Sequence, residues 1–326
     1  MLRVTQGNRL EMLADRLAAA LHTAPAGPLV AETILVPNLG MARWLSLRIA
    51  RAHGICANLR FLLPAQFVWE VLGRVTGVRA EIDVFDPAVL TWRVFEALAA
   101  VADAPELGPL RAYVEGPSDR PRFELARRIA MVFDQYLVYR PDWIRRWEVG
   151  DDTHWQAQLW RRLAQASPEP HRVHLLDTLV RALAREGVAE GLPARVFVFG
   201  VPALPPAYVD VLAALGGAID VDVHLVSPTP EHTGDLVTPR ELARRTRTID
   251  AEAAHLEIGN PLLGSLGRQG AEFRDLLFAW NPHPVDVYVE PDEATMLGAI
   301  QADIFHVRER GGPDMPATPR GDDGSV

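Results

Sequence analysis

Thr33-Ile34-Leu35-Val36-Pro37-Asn38-Leu39-Gly40 joins a β-rich run to a turn that leads straight into a helix. Beyond the turn, Met41, Trp44, Leu45 and Ile49 fall on one helical face, and Gly54 ends the pattern. The same order stands upstream. Leu2-Arg3-Val4-Thr5 reads as a strand and Gly7-Asn8 as a turn and N-cap. Leu10, Leu13, Leu17 and Leu21 then repeat at helical spacing until the stretch Pro25 to Pro28 breaks them. Downstream, Leu59 to Leu63 reads as a third strand closed by Pro64. Strand and helix alternating at these lengths predict a βαβ unit and a parallel sheet.

The pattern then changes. From Ala65 to Glu190 nearly every segment is helical by periodicity: Phe67–Val75, Pro87–Ala102, Arg122–Leu137, Pro141–Trp147, His154–Ala166 and Val173–Arg185. Strand-like runs return at Arg195–Phe199 and Asp220–Leu225, with a helix at Ala207–Leu215 between them. After Ser227 the pattern weakens. Asn260-Pro261 starts one more helix that runs to about Trp280, and a short one spans Ala294–Val307. From Glu309 the chain is rich in Gly, Pro, Asp, Thr and Ser and reads as a disordered linker, as expected of a fragment of a longer protein. The reading is an α/β domain made of 1–66 and 193–235, interrupted by a helical insertion at 67–192. A helical extension at 236–307 and a linker at 308–326 follow.

Composition narrows the chemistry. The 326 residues carry a net charge of −9 and a single cysteine, Cys56, so no internal disulfide forms. With no signal pattern after Met1 and no membrane-length apolar run, a soluble cytoplasmic protein is expected. All 33 basic residues are arginine. A phosphate-binding P-loop needs a lysine, so that site cannot be complete here. Basic charge is local: Asp119 to Glu186 holds twelve Arg against ten acids, near +2 in a chain that is otherwise acidic.

Several long blocks carry a resemblance. They are Ile34 to Leu45, Gly54-Ile55-Cys56-Ala57-Asn58, Leu63 to Trp69, Phe133 to Trp143, Trp155 to Trp160, Arg195 to Gly200 running into Ala203-Leu204-Pro205-Pro206, and Asn260-Pro261-Leu262-Leu263. In this order they resemble the RecC family, the gamma subunit of exodeoxyribonuclease V, over nearly the whole chain. The resemblance implies an α/β fold with a parallel sheet like that of superfamily 1 helicases and P-loop NTPases. It implies a degenerate nucleotide site and an all-helical insertion as well. At the place of the phosphate loop, Gly7 and Asn8 are followed by neither Lys nor Ser/Thr, and Phe199 stands where a magnesium-binding acid is needed. No catalytic residue and no cofactor are therefore expected in this chain. ATP and magnesium are expected to serve the partner subunits.

The same resemblance implies RecB-like and RecD-like partners in a heterotrimer, single-stranded and duplex DNA as ligands, and a channel that scans the 3′-ended strand for the Chi sequence. Leu63, Trp69, Asp134, Arg140 and Arg172 match the family's channel pattern in type. Trp can stack on a base, Arg can pair with phosphate or guanine, and Asp can accept from base amino groups. Leu39 and Arg43, with Pro37, fall at channel positions where polar uncharged residues are expected, and Met131 replaces an acid. These departures leave the recognised sequence, and any response to Chi, open. Two rivals predict otherwise: an AddB-like helicase–nuclease subunit needs a complete phosphate loop and a cysteine cluster, and a protein-interaction module needs no DNA.

Other features have plainer readings. Trp143, Trp147, Trp155 and Trp160 are expected to pack the helical insertion. The paired arginines 120/122, 127/128, 145/146 and 161/162 read as a solvated face neutralised by Asp119, Glu124, Asp142 and Glu148. His171 and His174 have loose metal-like spacing, but no third ligand type converges on them in sequence, so no metal is expected. Asp151-Asp152 with His154 reads as an exposed turn. Gly267-Arg268-Gln269-Gly270 reads as close packing within a helix.

Overall fold

A computed structural model describes residues 1–23, 27, 30–78, 83–100, 110–114, 118–185, 191–245 and 256–309. The expected linker at 308–326 lies almost wholly outside the described residues. In chain order the elements begin with β1 (Leu2–Gly7), α1 (Leu10–Thr23), β2 (Glu32–Leu35), α2 (Leu39–His53), β3 (Leu59–Leu62) and α3 (Pro64–Thr76). Next come α4 (Pro87–Ala100), α5 (Arg111–Val114), α6 (Asp119–Tyr139), α7 (Pro141–Val149), α8 (Trp155–Gln165) and α9 (Arg172–Leu183). The chain continues through β4 (Arg195–Phe199), α10 (Pro206–Ala218), β5 (Asp220–Val226), α11 (Pro239–Arg245), α12 (Pro261–Leu266), α13 (Arg268–Phe278), β6 (His283–Asp286) and α14 (Met296–Phe305).

Two compact units result. The first comprises Met1–Phe67, Ala189–Leu204 and Leu215–Val326; the second comprises Val68–Val188 and Pro205–Ala214. The first holds a six-stranded sheet in the order β3-β2-β4-β5-β1-β6, with every pairing parallel. All four residues of β2 and the last four of β4 are buried, as suits a sheet with both faces covered. Leu13, Leu17, Ile34, Leu45, Ile49, Phe197 and Phe199 form one core, which seats α1 and α2 on the sheet. Asn38 fixes the start of α2 by accepting a hydrogen bond from the Met41 N–H at 2.9 Å. Gly54 ends that helix at φ 77°, a conformation that favours glycine.

Two expectations are corrected here. The segment 236–307 is not a purely helical extension, because β6 joins the sheet beside β1. The single helix expected from Asn260 to Trp280 is two, parted at Gly267, where an added β-carbon would stand 2.7 Å from the Leu263 carbonyl oxygen.

The second unit has its own core. Phe85, Phe133, Trp147 and Trp160 are fully buried in it. Phe133 lies 5.4 Å from Trp160 and 6.2 Å from Trp147, both edge-to-face. Such pairs each contribute about 0.5–1.5 kcal/mol beyond area burial, so the tryptophans are packing, as expected. The arginine face is only partly a solvated one. Arg120 and Arg122 pair with Glu124 and Asp119, whereas Arg161 donates to the carbonyls of Trp147 and Asp152, both at 2.8 Å, and ties α8 to the end of α7 and the loop that follows it. His154 caps α8, its Nδ1 accepting from the Ala157 N–H at 3.2 Å.

Candidate functional site

In open parallel sheets ligands gather at the carboxyl ends of strands, where helix N-termini point. Gly7 and Asn8 stand at that end of β1, inside the sheet between β5 and β6. Chain from far along the sequence occupies the turn. A β-carbon on Gly7 would lie 2.8 Å from the Val287 carbonyl oxygen and 2.9 Å from Val287 Cγ2. The Val287 N–H donates to the Gln6 carbonyl at 2.9 Å, and the Gly7 carbonyl accepts from Ser227 N–H at 3.0 Å. Asn8 Nδ2 donates to the Val289 carbonyl at 2.8 Å while its Oδ1 accepts from the Val289 N–H at 3.0 Å. Asn8 therefore does not cap α1 as its type suggests, since both polar atoms of its side chain bond Val289.

Phe199, at the end of β4, is fully buried, with the Trp44 ring 6.2 Å and the His224 ring 6.1 Å away. The next residue, Gly200, has φ 62° and faces Met41 and Leu10 within 3.5 Å of where its β-carbon would be. The surroundings of Phe199 and Gly200 are thus largely apolar.

Seven of the positions assigned to a channel divide between the units: Leu39, Arg43 and Leu63 in the first; Trp69, Asp134, Arg140 and Arg172 in the second. Leu39 and Arg43 sit one helical turn apart on the exposed face of α2. Leu63 immediately precedes α3, its N–H donating to Gln66 Oε1 at 3.1 Å and its carbonyl accepting from Phe67 N–H at 3.1 Å. Trp69 is half-buried on the same helix.

In the second unit Asp134 and Arg172 meet. Arg172 Nη1 donates to Asp134 Oδ1 and its Nη2 to Asp83 Oδ2, each at 3.1 Å. Burial raises the nearby Tyr208 phenol above its ordinary pKa, with Arg172 pulling it down and Tyr139 and Asp134 pushing it further up. Asp83 and Tyr208 carry no motif and were not foreseen. Arg140 is placed differently. Its guanidinium lies 3.8 Å over the Trp143 ring and grips both oxygens of Asp142, at 3.2 and 3.1 Å. Those hydrogen bonds hold Asp142 below the usual carboxylate range.

Folding also supplies the ligand that sequence spacing lacks beside His171 and His174. Glu148, near the end of α7, reaches His171 Nε2 with Oε1 at 2.5 Å and His174 Nε2 with Oε2 at 2.8 Å. The two imidazoles stack with centroids 4.1 Å apart. Burial pushes the Glu148 carboxyl up, but the hydrogen bond and charge of His171, the charge of His174 and the Trp160 indole outweigh it and leave it below the usual range.

Comparison with known proteins adds the following. The family described as RecC, N-terminal domain, matches residues 2–307. The chain is 32% identical to the RecBCD enzyme subunit RecC of Escherichia coli strain K12, over 95% of this chain and 31% of that protein. It is 28% identical to its counterpart in Haemophilus influenzae, over 94% of this chain and 33% of the relative. For the Mycolicibacterium smegmatis counterpart the identity is 32%, over 93% and 28% respectively. The chain spans about a third of the length of these relatives.

Proposed function

The chain belongs to the RecC family, and from that premise we propose that it is a non-catalytic, DNA-handling scaffold of a RecBCD-type helicase–nuclease acting in double-strand break repair. In this reading it guides the unwound 3′-ended strand and holds RecB-like and RecD-like subunits, which carry the ATP and magnesium chemistry. The sheet is of the helicase kind, with its nucleotide site degenerate, and the second unit is the helical insertion.

The observation that carries the reading is the filled β1–α1 turn. A phosphate loop works by leaving backbone N–H groups bare toward the phosphates and adding a cation and a magnesium ligand. Here the Val287 carbonyl crowds Gly7, the Asn8 side chain is engaged by Val289, and Phe199 offers no acid. A triphosphate would meet a carbonyl oxygen and hydrocarbon where it needs donors and charge. The helical unit supports strand recognition by chemistry: Arg172 is poised between two carboxylates, so a phosphate or a guanine edge competes for it, and the half-buried Trp69 is the residue proposed to stack on a base.

Equilibrium binding of a fluorescent ATP analogue with magnesium tests the first part. No saturable binding is expected, and tight magnesium-dependent binding would overturn the reading. In the assembled complex, Trp69→Ala and Arg140→Ala are expected to alter strand recognition while unwinding persists. Loss of both together would make these residues structural.

A further inference from the structure

We infer that Glu148, His171 and His174 form a binding site for a divalent transition metal, with zinc the best fit. The ligand atoms come from three places on the chain. Glu148 is one residue from the end of α7, His171 is the N-cap residue of α9, and His174 lies in that helix's first turn. Each of the three residues offers one ligand atom, and these atoms lie within 4.8 Å of one another. Two imidazole nitrogens and one carboxylate oxygen are a donor set that zinc takes with a fourth position left to water.

The geometry suits insertion of an ion. Zinc holds such atoms at about 2.0–2.2 Å, which sets neighbouring ligands about 3.3 Å apart in a tetrahedron. The present contacts of 2.5 and 2.8 Å must open by less than an ångström. His174, with half its side chain exposed, can make that swing, and it leaves the ion a path from solvent. The rest is rigid. His171 is 2% exposed, wedged edge-on against Phe85 and Trp160. The Trp160 indole N–H donates to Glu148 Oε1 at 3.2 Å and so holds the carboxylate in place.

His171 Nδ1 is buried and has no partner among the described residues. Once Nε2 binds the ion the proton moves to Nδ1, still without an acceptor. Lack of such a second partner typically weakens a metal site about 10–100-fold. The site is therefore expected to exchange its ion rather than to hold it through folding. Its position gives it a consequence: His171 directly precedes Arg172, so the ion would pin the end of α9 from which Arg172 reaches Asp83 and Asp134. This does not depend on the function proposed above.

The test is zinc titration of the purified chain against a chromophoric chelator, with cobalt(II) as a spectroscopic stand-in. One equivalent is expected to bind, with the visible bands of a four-coordinate nitrogen/oxygen site. His174→Ala and Glu148→Gln each remove a ligand and should weaken binding by more than tenfold. His232→Ala, which removes a surface histidine elsewhere, should change nothing. Glu148→Gln keeps an oxygen for Trp160, and His174→Ala cuts an exposed side chain, so both variants should fold, as circular dichroism would check. If the wild type binds no zinc, or binds it as tightly as both ligand variants, the three residues form only a hydrogen-bonded cluster and the inference fails.

Discussion

At Gly7 the atom nearest to a prospective β-carbon is a backbone carbonyl oxygen, that of Val287, at 2.8 Å. A flexible side chain could swing aside, but a strand-end carbonyl can move only if β6 and its hydrogen bond to Gln6 move with it. Gly7→Ala should therefore cost about 1–3 kcal/mol through overpacking, read as a lowered urea midpoint. An alanine variant as stable as the wild type would show slack in the turn and weaken the case that it is filled. The sequence marks Gly7 and Asn8 as a strand-to-helix turn, because glycine and asparagine have local preferences there. It cannot mark Val289, which is 281 residues away from Asn8 and has nothing but an ordinary valine's signature. Glu148 is the same kind of case. His171 and His174 are legible as a spaced pair, whereas the acid that joins them lies 23 residues back from His171 at the end of another helix.

Among elements, those with strong local signals are legible in the sequence and those held by tertiary contact are not. β4 has the bounds expected of Arg195–Phe199, since four consecutive strand-forming residues, Val196 to Phe199, leave little choice. The edge strand β6 has little signature in the sequence for a physical reason: it is four residues long, mostly exposed and contains Pro284. Proline removes a ladder donor and is tolerated only at an edge, where β6 pairs with β1 alone. α12 shows a local signal that carries tertiary weight. Asn260 Oδ1 accepts from the N–H groups of Leu262 and Leu263 at 3.0 and 3.3 Å, and its Nδ2 donates to the Arg308 carbonyl at 2.9 Å. Asn260→Ala should lose about 1–2 kcal/mol for the cap, plus about 1 kcal/mol for the bond to Arg308. Asn260→Asp keeps the cap and loses only the donor, so its denaturation midpoint should fall between alanine and wild type. If the two variants are equally destabilised, the cap contributes nothing.

For the whole molecule, the sheet's stability is tied to pH through one buried imidazole. His224 on β5 lies in register between Thr5 of β1 and Phe199 of β4, with the Phe197 ring also 6.1 Å away. Burial pushes its pKa down to about 4, the Asp222 backbone hydrogen bond raising it and the Arg3 charge lowering it further. In the unfolded chain the same ring titrates near about 6.5. The unfolded state therefore takes up a proton first as the pH falls, so folding is favoured fully above about 6.5 and loses ground down to about 4. Two to three pKa units correspond to about 3 kcal/mol, a substantial part of the about 5–15 kcal/mol that typically holds a domain together. His224→Phe sets an apolar ring beside Phe197 and Phe199 and removes the linkage. Denaturation free energies at pH 7 and pH 5 should then differ by about 2 kcal/mol less in the variant than in the wild type. Equal pH dependence in both would mean that acid sensitivity arises from the carboxylates of this acidic chain and not from the imidazole in its sheet.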